Sequence, residues 1–323
     1  MKLISWLFCI LAAIALPAAA QDYPNKPVKI VVPYGPGGAT DIIARVLAQR
    51  LGESLGQSFV VENRPGASGN LALESVAKAA PDGYTLLVGN VTTNAINENT
   101  FAKELTIKPS RDLTGIAKLV EIPHIVVATA SFPAKNIAEF IALAKKEPGK
   151  INYASAGIGS YPHLDMEMFQ RVAAIKLTHI PYKGGAGQMI PALLSGEAPV
   201  AFLNLSSALP HVKAGKLKAL ATTARSRLAE LPEVATMAQQ GFPSIGTNAW
   251  QGLFAPAATP KPVLDKLHRS VAAALNKPDQ KEMLAKQMMT VDVSKSPQDF
   301  NDLVRRETRN WGEFLRDADI RIE

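Results

Sequence analysis

The sequence predicts an α/β protein of two lobes, each a mainly parallel sheet flanked by helices, joined by two hinge crossings. Three observations carry that expectation. Strand-length apolar runs alternate with helical segments, the alternation comes in two separate sets, and the chain of 323 residues exceeds what one core usually organises.

The first set opens with "VKIVV", a strand, followed by the loop "VPYGPGGATD". A helix then places Ile43, Leu47, Leu51 and Leu55 at a spacing of four, the period of one buried face. Thr40 or Asp41 is expected to cap it, and Gly56 to supply its left-handed stop. "SFVVEN" resumes as a short strand before a second glycine loop, "RPGASGN". "LALESVAKAA" reads as the second helix, "PDG" as a turn, "YTLLVG" as the third strand and "NVTTNAI" as a third polar loop. Right-handed crossovers would put all three loops on the carboxyl edge of one sheet, where ligands of such sheets bind.

The second set follows "IPHIVVATASFP" with a helix near residues 136–146. "INYASAGIGSYPHLDMEMFQ", "LTHIPYKGGAGQMIPALLSG" and "PVAFLNLSSALPHVKAG" each repeat strand, loop and helix, and "LKALATTA" is a further strand. A late extended run, "NAWQGLFAPAATP", precedes helices at residues 261–275 and 297–315 and reads as the return to the first lobe. Crossings near residues 121–128 and 248–255 would form a paired hinge. The expected division is residues 21–124 with 249–323 as one lobe and 125–248 as the other, after residues 1–20.

Those first residues have the pattern of an export signal: Lys2, an apolar stretch over residues 3–16, then Pro17 and the small residues Ala18 and Ala20, with cleavage expected after Ala20. The apolar stretch is shorter than the roughly 20 residues a membrane helix needs. The sole cysteine, Cys9, lies inside this segment, so the exported chain is expected to have no disulfide, no thiolate metal site and no cysteine nucleophile. It keeps 34 basic against 28 acidic side chains, scattered without an aromatic-interleaved stripe, which argues against a nucleic-acid partner.

Catalytic patterns are missing. His124, His163, His179, His211 and His268 have no metal-ligand spacing, and "GASG" and "AGIGS" are not nucleophile turns. The first glycine loop is not G-x-G-x-x-G, has no following G-K-[ST], and carries Asp41 where a phosphate would sit. An exported hydrolase or phosphate-group enzyme using these loops stays as the alternative, without named residues. The loops suit another anion. Gly37 and Gly38 can turn backbone N–H groups inward and lead into a helix amino terminus, whose orphan donors and dipole favour negative charge, and "SAGIGS" repeats the arrangement ahead of a helix near Pro162. For any one such loop the plain alternative is a tight strand-to-helix turn. Tyr182 and Lys183, in "PYKGGAGQ", are expected at the cleft, with Lys183 able to pair with a distal acid. His163 and Asp165 are expected to cap or pack their helix, Arg305, Arg306 and Arg309 to form a solvated face, and Trp250 to pack the hinge or report its closure.

The segment from "YPNKPVKIVVPYGPGGATD" to "PDGYTLLVGN", with "INYASAGIGSYPHL", "PYKGGAGQMIPALLSGE", "LATTARSRLAELPEV" and "WQGLFAPAATP", closely resembles the periplasmic solute-binding components of tripartite tricarboxylate transporters, the Bug receptors. The likeness covers nearly the whole chain after residue 20. It implies a periplasmic-binding-protein fold and a non-catalytic, monomeric receptor without cofactor or metal. Such a receptor closes on a small carboxylate, a di- or tricarboxylate, amino acid or aromatic acid, and delivers it to integral-membrane permease subunits or presents it to a sensor protein. It further implies that backbone N–H groups of Gly37, Gly38, Ala39 and Thr40 on one side, and of Ala156, Gly157, Gly159 and Ser160 on the other, hold a carboxylate. Selectivity would then rest with Tyr34, Ser68, Asn90, Thr92, Tyr182, Lys183 and Asn204. One departure is "LPEVATMAQQG", where Ala235 and Gln239 replace the proline and acid of the family's usual PTxxE turn.

Overall fold

A computed structural model describes residues 23–246 and 249–317. The expected export signal, the end of the last lobe segment, and the start of the second crossing at Asn248 lie outside the described residues. In chain order the elements are β1 (Val28–Val32), α1 (Ala39–Leu55), β2 (Phe59–Asn63), α2 (Asn70–Ala77), β3 (Thr85–Asn90), β4 (Leu113–Ile122) and β5 (His124–Thr129). There follow α3 (Ile137–Lys146), β6 (Asn152–Ser155), α4 (Tyr161–Ala173), β7 (Thr178–Pro181), α5 (Ala186–Ser195), β8 (Val200–Asn204), α6 (Leu205–Lys213) and β9 (Leu217–Thr222). The chain closes with β10 (Ala249–Pro256), α7 (Lys261–Leu275), α8 (Pro278–Lys286), β11 (Thr290–Val291) and α9 (Pro297–Asp317).

These strands form two sheets, in the orders β11-β4-β10-β3-β1-β2 and β7-β6-β8-β5-β9. The sheets are mixed, by one shared rule. Within each, strands that belong to βα repeats run parallel, as β1 does with β2 and β3, and β6 with β7 and β8. The strand arriving from the other lobe, β10 in the first sheet and β5 in the second, is inserted antiparallel. It starts at the edge where its neighbours end, so it must run the other way. β4 passes to β5 through Pro123 alone, and Ile122 is paired with Ala249, so the two crossing strands are hydrogen-bonded neighbours.

The apolar spacing in α1 does what it predicted. Ile43, Leu47 and Leu51 are fully buried against the first sheet with Leu267 and Val271 of α7, each worth about 1.5–3 kcal/mol of burial. Gly56 ends α1 at φ 70°, its N–H bonded to Gly52 O. The amino-terminal cap, however, is Gly38; Thr40 and Asp41 sit inside the first turn. α2 and α9 cover the opposite face with Leu73, Val76 and Phe300. The second sheet is covered by α3 and α4 on one face and by α5 and α6 on the other. Asn136 caps α3, its side chain accepting the N–H of Glu139 while its own amide donates to that glutamate.

Two expectations change. "NVTTNAI" is not a loop but buried helical turn, Thr92–Ile96 continuing into Asn97–Thr100, because its polar side chains bond its own backbone: Asn90 Oδ1 accepts the N–H of Thr93, and Thr93 Oγ1 the N–H of Asn90. α8 and β11 were not anticipated; Pro278 starts α8 in the first turn, where the missing N–H costs nothing. No helix among the described residues is long and apolar enough to cross a membrane.

Candidate functional site

The carboxyl ends of the parallel strands face each other across the two sheets and enclose a cavity of about 30 Å³. From the first lobe it is lined by Tyr34 after β1, by Gly38, Ala39 and Thr40 at the start of α1, and by Asn90 at the end of β3. From the second come Ala156 after β6, Tyr161 and Pro162 at the start of α4, Gly185, Ala186 and Met189 at the start of α5, and Leu203 and Asn204 where β8 meets α6. That volume is roughly two water molecules' worth. The lobes are shut upon it.

Four helices begin at this cavity. The first intrahelical bond of α1 runs from Ile42 N–H to Gly38 O, that of α4 from Leu164 N–H to Ser160 O, and that of α5 from Met189 N–H to Gly185 O. The N–H groups ahead of those bonds, such as those of Ala39, Thr40 and Ala186, have no partner in their own helix. With α6 starting from Asn204, four amino-terminal dipole ends converge from both lobes. No lining residue carries a formal charge. The helix ends therefore bring positive partial charge to the cavity from the backbone.

The remaining sequence-predicted residues sit elsewhere. Gly37 is exposed at the rim, and its N–H donates to Asp41 Oδ2 at 3.0 Å. Gly157 N–H donates to Ser155 Oγ, Gly159 N–H to His163 Nδ1, and Ser160 N–H to Gly157 O. The second glycine loop thus spends these donors within itself. Ser68 and Thr92 belong to the seam between lobes: Ser68 Oγ donates to Ile158 O at 3.0 Å, and Thr92 Oγ1 accepts the N–H of Tyr161 at 3.1 Å. Gly35 N–H to Gly184 O, 3.2 Å, adds a main-chain bond across it. Tyr182 is half-buried and Lys183 exposed, and neither lines the cavity.

Close approach explains the glycines of the seam. Gly157 has φ +120°, and a Cβ there would lie 2.6 Å from Ser68 Oγ; one on Gly187 would lie 2.8 Å from the main-chain oxygen of Pro36. Sequence reasoning missed Tyr161, Pro162, Gly185, Ala186, Met189 and Leu203. The signal was present in "PYKGGAGQ", where Gly185 opens a helix two residues after the polar Lys183.

Each loop is braced by a side-chain network. Asp41 accepts from Gly37 N–H, Arg45 and Asn63. Burial pushes its pKa up, but the bonds from Arg45, Gly37 and Asn63 outweigh that and hold it below the usual carboxylate value. Behind the second loop, His163 stacks on His179 at 4.2 Å, and His179 Nε2 lies 2.6 Å from Ser155 Oγ. Burial lowers His163 to about 4; burial, with His163 beside it, lowers His179 to about 3. Among the described residues no three His, Cys, Asp or Glu side chains gather to hold a metal ion.

Two α/β lobes hinged by paired strands, with a backbone-lined cavity between opposed strand ends, define the class of periplasmic solute-binding proteins. Within that class, residues 43–320 match the family model described as tripartite tricarboxylate transporter family receptor, and the chain belongs to that family. The protein BugT of Bordetella pertussis is 32% identical over 98% of this chain and 97% of its own length. A structure of Rpa4515 from Rhodopseudomonas palustris with adipate superposes with a TM-score of 0.87 at 33% identity, covering 92% of this chain and 98% of that one. MatC from the same organism, with bound malate, gives 0.84 at 33% identity over 91% of this chain and 100% of its own. The family is one of receptors rather than enzymes.

Proposed function

We propose that this protein captures a small carboxylate between its lobes in the periplasm and hands it to the membrane subunits of a tripartite tricarboxylate-type transporter. The observation that carries the reading is the convergence of four helix amino termini, from both lobes, on one closed cavity without a charged side chain. Adipate and malate in the related structures support the ligand class. In this reading the N–H groups of Ala39 and Thr40 and that of Ala186 hold a carboxylate from opposite sides, while Tyr34, Gly38, Asn90, Ala156 and Asn204 shape its surroundings. Gly37, Ser68, Thr92, Gly157, Gly159 and Ser160 act on affinity through the loops and the seam. Three charge-assisted hydrogen bonds of about 1.5–3 kcal/mol each come to about 5–9 kcal/mol, the scale of the roughly 8 kcal/mol of a micromolar complex before the cost of closure. The moving bodies are residues 21–124 with 249–323, and 125–248, in a chain released after Ala20.

The test is a titration of di- and tricarboxylates, aromatic acids, amino acids and neutral sugars, followed by tryptophan fluorescence and thermal melting. Trp250 is buried in the apolar cluster that also takes Tyr161 and Leu164 from the other lobe, so closure should change its emission. A carboxylate at 100 times its dissociation constant should add about 2.7 kcal/mol of stability. Shifts with sugars and none with any carboxylate would overturn the reading.

A further inference from the structure

Besides Thr40, whose hydroxyl donates to Gln251, the cavity's polar side chains come as two matched pairs, one from each lobe. In the first, the Tyr34 hydroxyl donates to Asn90 Oδ1 at 3.3 Å, and the N–H of Thr93 donates to the same oxygen at 3.2 Å. In the second, the Tyr161 hydroxyl donates to Asn204 Oδ1 at 2.8 Å. An amide oxygen only accepts, so each asparagine turns its oxygen to a tyrosine and keeps its NH₂ as a donor. Among the described residues no acceptor takes either NH₂, and both residues line the cavity. Burial pushes Tyr34 up to about 12 and Tyr161 well above the ordinary phenol value, so both tyrosines stay protonated and keep donating.

Tyr161 is itself held in place. Its ring stacks on His124 at 4.2 Å and 7°, and His124 Nδ1 is hydrogen-bonded to Asp165 Oδ2 at 3.0 Å. Facing the cavity there are thus helix-end N–H groups and two amide NH₂ groups, and no carboxylate to receive a cation.

We infer, on the reading of the site as a carboxylate receptor, that Asn90 and Asn204 are its selectivity residues. They admit carboxylates whose second polar group is an acceptor, a further carboxylate or a carbonyl, and refuse those bearing an ammonium group. An ammonium meets helix-end N–H and amide NH₂ donors and no carboxylate, and a buried charge without a charged partner is costly. Tyr34 and Tyr161 are positioning residues that fix which end of each amide meets the ligand.

The experiment is calorimetric titration of the exported chain with succinate and glutarate, with butyrate and valerate as monocarboxylates of equal length, and with aspartate and glutamate as the α-amino counterparts. The dicarboxylates are expected to bind roughly ten-fold tighter or more than the others, the loss of one hydrogen bond to a charged group. Asn204→Asp, nearly isosteric, should cut dicarboxylate affinity by a similar factor and narrow or reverse the gap to the α-amino ligands. Tyr161→Phe keeps the stack on His124 and frees the amide to turn; it should lower the ratio of dicarboxylate to monocarboxylate affinity while the monocarboxylates stay within about two-fold. A purely structural role would weaken all ligands alike. If Asn204→Asp does not fold, as read by melting, Tyr161→Phe decides. α-Amino ligands binding as tightly as dicarboxylates, or ratios unmoved by the variants, overturn the inference and leave the carboxylate reading standing. Binding by none of the six overturns it as well, and silence of the wider carboxylate panel would take the underlying reading with it.

Discussion

The loop after β1, residues 33–38, and the loop after β6, residues 156–160, both pass from strand end to helix start through glycine, and they use their N–H groups in opposite ways. The first opens at its end: Gly38, Ala39 and Thr40 line the cavity, while Gly37 is tied back to Asp41 and Gly35 is bonded across the seam to Gly184. The second is closed on itself, with the N–H groups of Gly157, Gly159 and Ser160 bonded to Ser155, His163 and Gly157. Its glycines serve the seam, and the second lobe's open helix start is that of α5, at Gly185 and Ala186. Glycine-rich loops of similar sequence can therefore serve either to expose backbone donors or to let two backbones touch. The braces differ too. A charged network, Asp41 with Arg45 and Asn63, holds the first loop, and a stack of neutral histidines holds the second.

The sharpest way to break this comparison is Gly187→Val. Its Cβ would meet the Pro36 carbonyl at 2.8 Å, a backbone group that cannot swing away. Closure should fail, with ligand affinity falling by roughly a hundred-fold or more while the ligand-free melting point stays close to that of the parent, as calorimetry and thermal scans would record. Retained affinity would remove α5 from the closing surface.

Acidification should separate the two loops. His163 and His179 have folded-state pKa values near 4 and 3, below the ordinary 6.5. The unfolded chain therefore binds more protons between those values, and their contribution is present above pH 6.5 and lost as pH falls toward 4. For His163 this amounts to up to about 3 kcal/mol. The Asp41 network, with its pKa held below the usual value, loses its contribution only at lower pH. Protection against hydrogen exchange, relative to the intrinsic rate at each pH, is expected to fall at residues 156–160 between pH 6.5 and 4 while that at residues 33–41 does not; simultaneous loosening would reject the distinction.

A smaller effect is expected from Asp41→Ala. It frees Arg45 and the Gly37 N–H, costing roughly 1–3 kcal/mol in denaturant unfolding and weakening the ligand through a looser first loop. The smallest belongs to Lys183→Ala. Exposed and outside the cavity lining, Lys183 should leave affinity within about two-fold of the parent in the same titrations, whatever the ligand.

Much of this architecture could be read directly. The spacing of Ile43, Leu47 and Leu51 and glycine at position 56 dictate a helix and its end from local chemistry alone. The extended run beginning at Ala249 was likewise legible as the return strand, because an apolar run carrying Trp250 and Phe254 ahead of the Pro256 turn signal needs no distant partner to be recognised. The site was legible at Gly38, Ala39, Thr40, Tyr34, Asn90, Ala156 and Asn204 as positions on the cavity wall. It was not legible at Tyr161, Gly185 or Met189. Whether a turn's N–H is free or already bonded depends on which side chain packs behind it, and nothing near Gly159 in sequence announces that His163 will accept its proton.

By itself, then, the sequence determined the elements, their two sets, and the presence of small-residue loops at strand ends, since these follow from periodicity and backbone freedom within a few residues. Only the tertiary structure decided that β5 and β10 run antiparallel to their neighbours, that α5 rather than the second glycine loop opens its donors to the cavity, and that two tyrosines turn two asparagines. The strand directions and the tyrosine–asparagine pairs depend on contacts between residues far apart in the chain, and the second loop's closure on which nearby acceptors its N–H groups take, so that packing and hydrogen-bond competition choose among conformations that every segment could adopt alone.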